Sequence, residues 1–214
     1  MTLDEAFAEA PLVAILRGVK PEEVVAVADA LVQAGVRLIE VPLNSPSPLD
    51  SIRNLSALGG RIIHGAGTVL SVEAVDAVEA AGGTLIVSPN TNPAVIAHAR
   101  VRGLEPMPGF GSASEAFAAY AAGARRLKLF PAGTYGVGHV SALRAVLPGD
   151  AKVLPVGGVT PADMADWWRA GAAGFGLGGE LYKPGFTPEA VHERAVAAMT
   201  ALRALTAKAA HAGV

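Results

Sequence analysis

Short apolar runs alternate with longer polar-edged stretches along the whole chain. Four segments share one pattern of helix end, glycine and strand: AGVRLIEVP, AGGTLIVSP, AGARRLKLFP and AGAAGFGLG. Glycine suits the position after a helix because it takes the left-handed conformation without a Cβ clash. Weaker versions, LGGRIIHGAG, VRGLEPMPG and LPGDAKVLPVGG, fall between them. The marker glycines are Gly35, Gly59, Gly82, Gly103, Gly123, Gly149 and Gly171, at intervals of 24, 23, 21, 20, 26 and 22 residues. PLVAILRG, opening at Pro11, adds a unit upstream and brings the count to eight.

Each unit reads as a short apolar strand, a turn of Gly, Pro, Ser or Thr, and a helix. PEEVVAVADALVQA, SVEAVDAVEAA, SASEAFAAYAA and TPADMADWWRA are such helices. Several open on Ser, Thr or Pro followed by an acid, a sound helix start. Eight minimal strand–helix units predict an α/β fold, a single (β/α)8 TIM barrel over residues 1–214. The alternative is an open doubly wound sheet, usually of five or six strands. A longer helix from Pro188 to Ala210 closes the ring, and the first ten residues form a short helix under the barrel.

Composition narrows the function classes. Apolar residues make up 51% and aromatics 5%, so the core is built mainly of Ala, Val and Leu. A formal charge of -2 argues against nucleic acid as the main partner. Without cysteine, neither disulfides nor thiolate metal sites can form. The short acidic start MTLDEAFAEAP lacks a signal peptide's basic and apolar regions, and no apolar run is long enough to span a membrane. A cytoplasmic protein is expected. His64, His98, His139, His192 and His211 show no metal-ligand spacing, so no metal is assigned. Trp167, Trp168 and Met199 read as helix packing.

In a barrel of this kind the active site lies where strands end and turns begin. Three charged residues interrupt apolar runs there: Arg17 in VAILRG, Glu40 in RLIEVPLN and Lys128 in RRLKLFP. Leu127 and Leu129 would face the helices, turning Lys128 to the barrel axis. A buried lysine needs a partner or a lowered pKa, against a reference of about 10.4. A neutral amine in a pocket is what imine formation with a ketone requires. Glu40 could move protons beside it, or the two could form only a structural salt bridge. The fork of Arg17 suits a carboxylate or phosphate, or could pair with Glu40. Thr68, in GAGT, could donate a hydroxyl to the same anion or cap the helix starting near Ser71. GGVTP and GLGG, in the last two loops, are turns of the kind that hold phosphate on backbone N–H groups.

The segments VAILRG, IEVPLNSP, IHGAGTVL, IVSPN, LKLFPAG, PVGGVTP and GLGGELY, in this order, resemble the class I aldolases that cleave 2-keto-3-deoxy-6-phospho sugar acids. The resemblance implies a homotrimer, no metal or other cofactor, and a phosphorylated keto-sugar acid cleaved to pyruvate and D-glyceraldehyde 3-phosphate. It implies Lys128 as Schiff-base lysine and Glu40 as acid/base, with Arg17 and Thr68 on the carboxylate of the pyruvate end. Pro89 and Phe130 would wall the pocket, and Gly157, Gly158, Gly178 and Gly179 would hold the phosphate. Val156, where gluconate-specific relatives have threonine, and Asn44, where many have arginine, favour the galactonate branch. Gly179 stands where a serine is expected, leaving that contact to the backbone. The gluconate epimer or both epimers as substrate, an isomerase or epimerase acting without an imine, and a non-catalytic phosphosugar-binding barrel remain as alternatives.

Overall fold

The computed structural model of the protein describes residues 1–212, with side chains through residue 207. The strands are β1 (Leu12–Ile15), β2 (Leu38–Pro42), β3 (Ile63–Gly67), β4 (Leu85–Val87), β5 (Glu105–Met107), β6 (Gly109–Phe110), β7 (Arg126–Leu129), β8 (Lys152–Pro155) and β9 (Phe175–Leu177). The helices are α1 (Leu3–Glu9), α2 (Val24–Ala34), α3 (Pro48–Leu55), α4 (Val72–Ala80), α5 (Pro93–Val101), α6 (Ala113–Ala121), α7 (Ala132–Tyr135), α8 (Val137–Arg144), α9 (Met164–Arg169) and α10 (Pro188–Ala212).

Every strand pairing is parallel. The order is β5-β4-β3-β2-β1-β9 in a six-stranded sheet and β6-β7-β8 in a three-stranded one. One continuous eight-stranded ladder was expected; among the described residues nine strands in two sheets are found. The fifth expected strand is split at Pro108, which has no N–H for the ladder. Its carbonyl accepts from Lys128 N–H at 2.9 Å, while the neighbouring Met107 carbonyl accepts from Ser88 N–H at 3.4 Å. At the opposite seam Val156 bridges Gly176 in parallel.

Alternation along the strands sends side chains to two buried layers. Leu12, Ala14, Ile39, Val41, Ile86, Leu127, Leu129 and Val153 join the large cluster under the helices. Val13, Leu38, Leu85, Val87, Met107 and Leu154 form a smaller inner cluster with Leu3, Ala6 and Phe7 of α1. The short N-terminal helix thus plugs the inner layer, as expected. Its start is a capping box, with Thr2 and Glu5 exchanging side chain-to-backbone hydrogen bonds of 3.2 and 2.7 Å. Trp167 and Met199 are buried in the outer cluster, and Trp168 stacks obliquely on Phe175 at 6.2 Å.

Two helices begin later than their sequences suggest. Residues 21–23 and 161–163, the PEE and PAD openings, form turns that precede α2 and α9. Glu23 and Asp163 fold back to accept from the N–H groups of Lys20 and Thr160, at 3.0 and 2.8 Å. The acid three residues on therefore satisfies a backbone donor in the turn before the helix.

Candidate active site

Lys128 and Glu40 are inward-facing residues of β7 and β2. Their neighbours Leu127, Leu129, Ile39 and Val41 all belong to the outer cluster, so alternation leaves both charged side chains pointing inward. Lys128 is 6% exposed and Glu40 1%. Below Lys128 on the same strand, Arg126 faces inward too, but it is ion-paired to Asp4 of α1 and lies 4.9 Å over the Phe7 ring. Lys128 has no such carboxylate in contact. Among the described residues no ion pair within 4.0 Å includes it, and its Nζ lies 5.0 Å from the centre of the Phe130 ring. Among the described residues Glu40 Oε2 is buried with no hydrogen-bond partner. The closed salt bridge allowed by the sequence is therefore not formed.

Two buried groups of opposite sign, close but unpaired, shift toward neutrality. Burial is the main cause for each. It pushes Glu40 up to about 7, partly offset by the charges of Lys128 and Arg17. Burial also lowers Lys128; Glu40 opposes that shift and Arg17 adds to it. Burial thus favours the neutral form of both groups.

Arg17 follows β1 and is exposed, its Nη1 donating to Asn44 Oδ1 at 3.1 Å. Next to it, Gly18 N–H donates to the buried Ser45 Oγ at 2.9 Å. The loop after β2 therefore fixes the loop after β1. Arg17, in the loop after β1, reaches a cavity of about 500 Å3. Arg17, Lys128, Phe130 and Val156 line it, and so do Gly157, Gly158, Gly178 and Gly179 from the two glycine turns. These eight expected residues come together.

Three expected residues do not line this cavity: Glu40, Thr68 and Pro89. Glu40 lies beneath it, fully buried. Thr68 adopts a left-handed backbone, φ 58°, and the cap of α4 is made by Ser71, which accepts from Ala74 N–H at 3.2 Å. The capping role considered for Thr68 thus belongs to Ser71. Pro89 packs its carbonyl against Gly109, where a Cβ would stand 2.3 Å away. The cavity also contains residues the sequence did not single out: Thr160, Glu180, Tyr182 and Lys183. Thr160 lies in GGVTP; the signal for the other three was the ELYKPG stretch directly after GLGG, but an acid and a lysine in a loop are ordinary surface chemistry.

The histidines stay apart. His64 is buried between β3 and α3, where burial lowers its pKa against the pull of the Ile52 carbonyl. His98 pairs with Asp76 at 2.7 Å, and His139 and His192 bond backbone carbonyls of Gly111 and Ala30. His211 lies outside the residues whose side chains are described. Among the described residues no group of His, Asp and Glu could hold a metal ion, and no helix is long and apolar enough to cross a membrane.

A lowered lysine, a raised carboxylate beside it and an arginine at the cavity mouth are suited to amine chemistry on an anionic carbonyl compound. The family profile described as "Aldolase: KDPG and KHG aldolase" matches residues 3–206, and the chain belongs to that family. It is 48% identical over 199 residues to a probable 2-dehydro-3-deoxy-6-phosphogalactonate aldolase of Rhizobium meliloti, covering 92% of this chain and 93% of the relative. It is 46% identical over 194 residues to the 2-dehydro-3-deoxy-6-phosphogalactonate aldolase of Escherichia coli K12, covering 90% and 95%. A solved structure described as native KDPGal superposes with a TM-score of 0.91 at 45% identity, covering 92% of this chain and 97% of that one.

Proposed function

We propose that this protein is a class I aldolase cleaving 2-dehydro-3-deoxy-6-phospho-D-galactonate to pyruvate and D-glyceraldehyde 3-phosphate. The observation that carries the reading is Lys128, buried in the cavity without a carboxylate in contact and depressed in pKa. Two relatives above 45% identity are named for this activity.

In the proposed mechanism, neutral Lys128 Nζ adds to the C2 ketone. Glu40 delivers a proton to the departing hydroxyl, and water leaves as the iminium forms. Loss of the C4 hydroxyl proton lets the C3–C4 bond break, its electron pair passing to the iminium as an enamine. The three-carbon aldehyde phosphate leaves, C3 is protonated, and hydrolysis releases pyruvate and restores the amine. The iminium is the electron sink, so the steps need no cofactor. Arg17 and Thr68 would hold the pyruvate-end carboxylate, Pro89 and Phe130 would wall the pocket, and the turns at Gly157-Gly158 and Gly178-Gly179 would receive the phosphate. Val156 is buried at the cavity wall, where its methyls offer no hydrogen bond to a C4 hydroxyl, which supports the galactonate epimer.

The two sheets are read as one closed (β/α)8 barrel domain, supported by the hydrogen bonds at Pro108 and the Val156 bridge. A homotrimer is implied by the family resemblance, and a cytoplasmic location by the sequence reading; both are part of this proposal.

The test is borohydride reduction in the presence of pyruvate, followed by peptide mass spectrometry. One pyruvate-derived adduct on the Lys128 peptide, absent from Lys128→Ala, is expected. No adduct in the wild type, or one that survives the substitution, would overturn the imine mechanism.

A further inference from the structure

Lys183 is a lysine with an unusually fixed backbone and a free ammonium. On its N-terminal side, Leu181 and Tyr182 are buried, and the Tyr182 hydroxyl donates to Glu23 Oε1 at 2.8 Å. On its C-terminal side, Pro184 and Gly185 form a turn closed by Phe186 N–H donating to the Lys183 carbonyl at 3.0 Å. Pro184 itself rests on Gly18, where a Cβ would stand 2.8 Å from Cγ. The strap is thus clamped to the start of α2 and to the residue after Arg17.

From this position the side chain curls back over the last glycine turn. Its Cε lies 3.2 Å from the point a Cβ on Gly179 would occupy. Lys183 lines the same cavity as Gly157, Gly158 and Gly178. Among the described residues its ammonium makes no ion pair, hydrogen bond or ring contact. The other charged groups lining the cavity are Arg17, Lys128 and Glu180. In the proposed reaction Arg17 is given to the carboxylate and Lys128 to the ketone. A phosphate monoester is close to dianionic at neutral pH, and the glycine turns offer it only neutral dipoles. Glu180 would repel it.

We infer that Lys183 is the cation that binds the phosphate of the substrate, acting over Gly179 together with the backbone N–H groups of the two turns. The inference rests on the aldolase reading above. A Cβ at residue 179 would crowd the stem of Lys183, which would shift by a few tenths of an ångström to admit it.

The experiment compares wild type, Lys183→Met and Lys183→Arg. Inorganic phosphate binding is measured by calorimetry, and kcat/KM with the phosphorylated sugar acid and its unphosphorylated analogue. In Lys183→Met the phosphate Kd rises about tenfold or more, as expected for losing a charge-assisted bond. The ratio of kcat/KM for phosphorylated over unphosphorylated substrate falls by a similar factor, and Lys183→Arg restores most of both. Phosphate affinity and ratio unchanged in Lys183→Met would overturn the inference. Pyruvate trapping on Lys128 in the same samples reports separately on the aldolase reading, and calorimetry does not depend on turnover.

Discussion

Gly67 stands directly against the carboxylate of Glu40. A Cβ at residue 67 would lie 1.8 Å from Oε2 and 2.4 Å from the carboxyl carbon. Gly67 ends β3, the strand paired with β2, in register with Pro42. Its missing side chain is the space the carboxylate occupies.

Adding a single methyl there should therefore act on chemistry before it acts on folding. Gly67→Ala must push Glu40 out of the interior or tilt β3. Overpacking of this kind costs about 1–3 kcal/mol of stability. If Glu40 is the acid/base as proposed, misplacing it should lower kcat by about a hundredfold, the lower end for general acid–base catalysis. Turnover assays with thermal melts check this; kcat within a few-fold of wild type would show that Glu40 has no positional role.

The charges around Lys128 give opposite signs that a pH titration can read. Burial and Arg17 both favour the neutral amine, while Glu40 favours the cation. A lysine whose pKa is lowered becomes nucleophilic at a pH below its ordinary value. The rate of borohydride trapping with pyruvate should rise with pH through a midpoint below 10.5. Glu40→Gln removes the group that raises the pKa, so the midpoint should move further down. Arg17→Met removes a group that lowers it, so the midpoint should move up. Shifts in the reverse order would contradict the electrostatic account of the site.

Lys128 and Glu40 were legible in the sequence because a charge inside an apolar run is costly and conspicuous. Leu127 and Leu129 fixed the direction of Lys128 through strand alternation alone, and the helix-facing cluster contains both. The split at Pro108 was harder to read. Proline removes one ladder donor, but whether the chain pairs on both sides of the break depends on curvature that no local pattern encodes. Gly67 was hidden for another reason. In GAGT it looks like turn chemistry, whereas its φ is not in the left-handed region and its role is to leave room for a side chain 27 residues away. Lys183 was missed because its loop looks like solvent-exposed surface; the Tyr182–Glu23 and Pro184–Gly18 contacts that aim it join residues far apart in sequence.

The Arg17–Asn44 and Gly18–Ser45 bonds separate positioning from stability within one loop pair. Asn44 is exposed and holds only the guanidinium of Arg17, at 3.1 Å. Ser45 is buried and satisfies a backbone donor at 2.9 Å. Asn44→Ala should therefore leave the melting temperature nearly unchanged, since exposed substitutions stay within about 0.5 kcal/mol. On the proposed role of Arg17 at the substrate carboxylate, it should raise the substrate KM several-fold, because a free Arg17 must be ordered by the ligand. Ser45→Ala strands the Gly18 N–H and should cost about 1–3 kcal/mol, seen as a lower denaturation midpoint. The two effects reach the site by different routes, since Gly18 also carries the weight of Pro184. A Ser45→Ala protein with unaltered stability, or an Asn44→Ala protein with unaltered KM, would show that the loop after β2 does not set the position of Arg17.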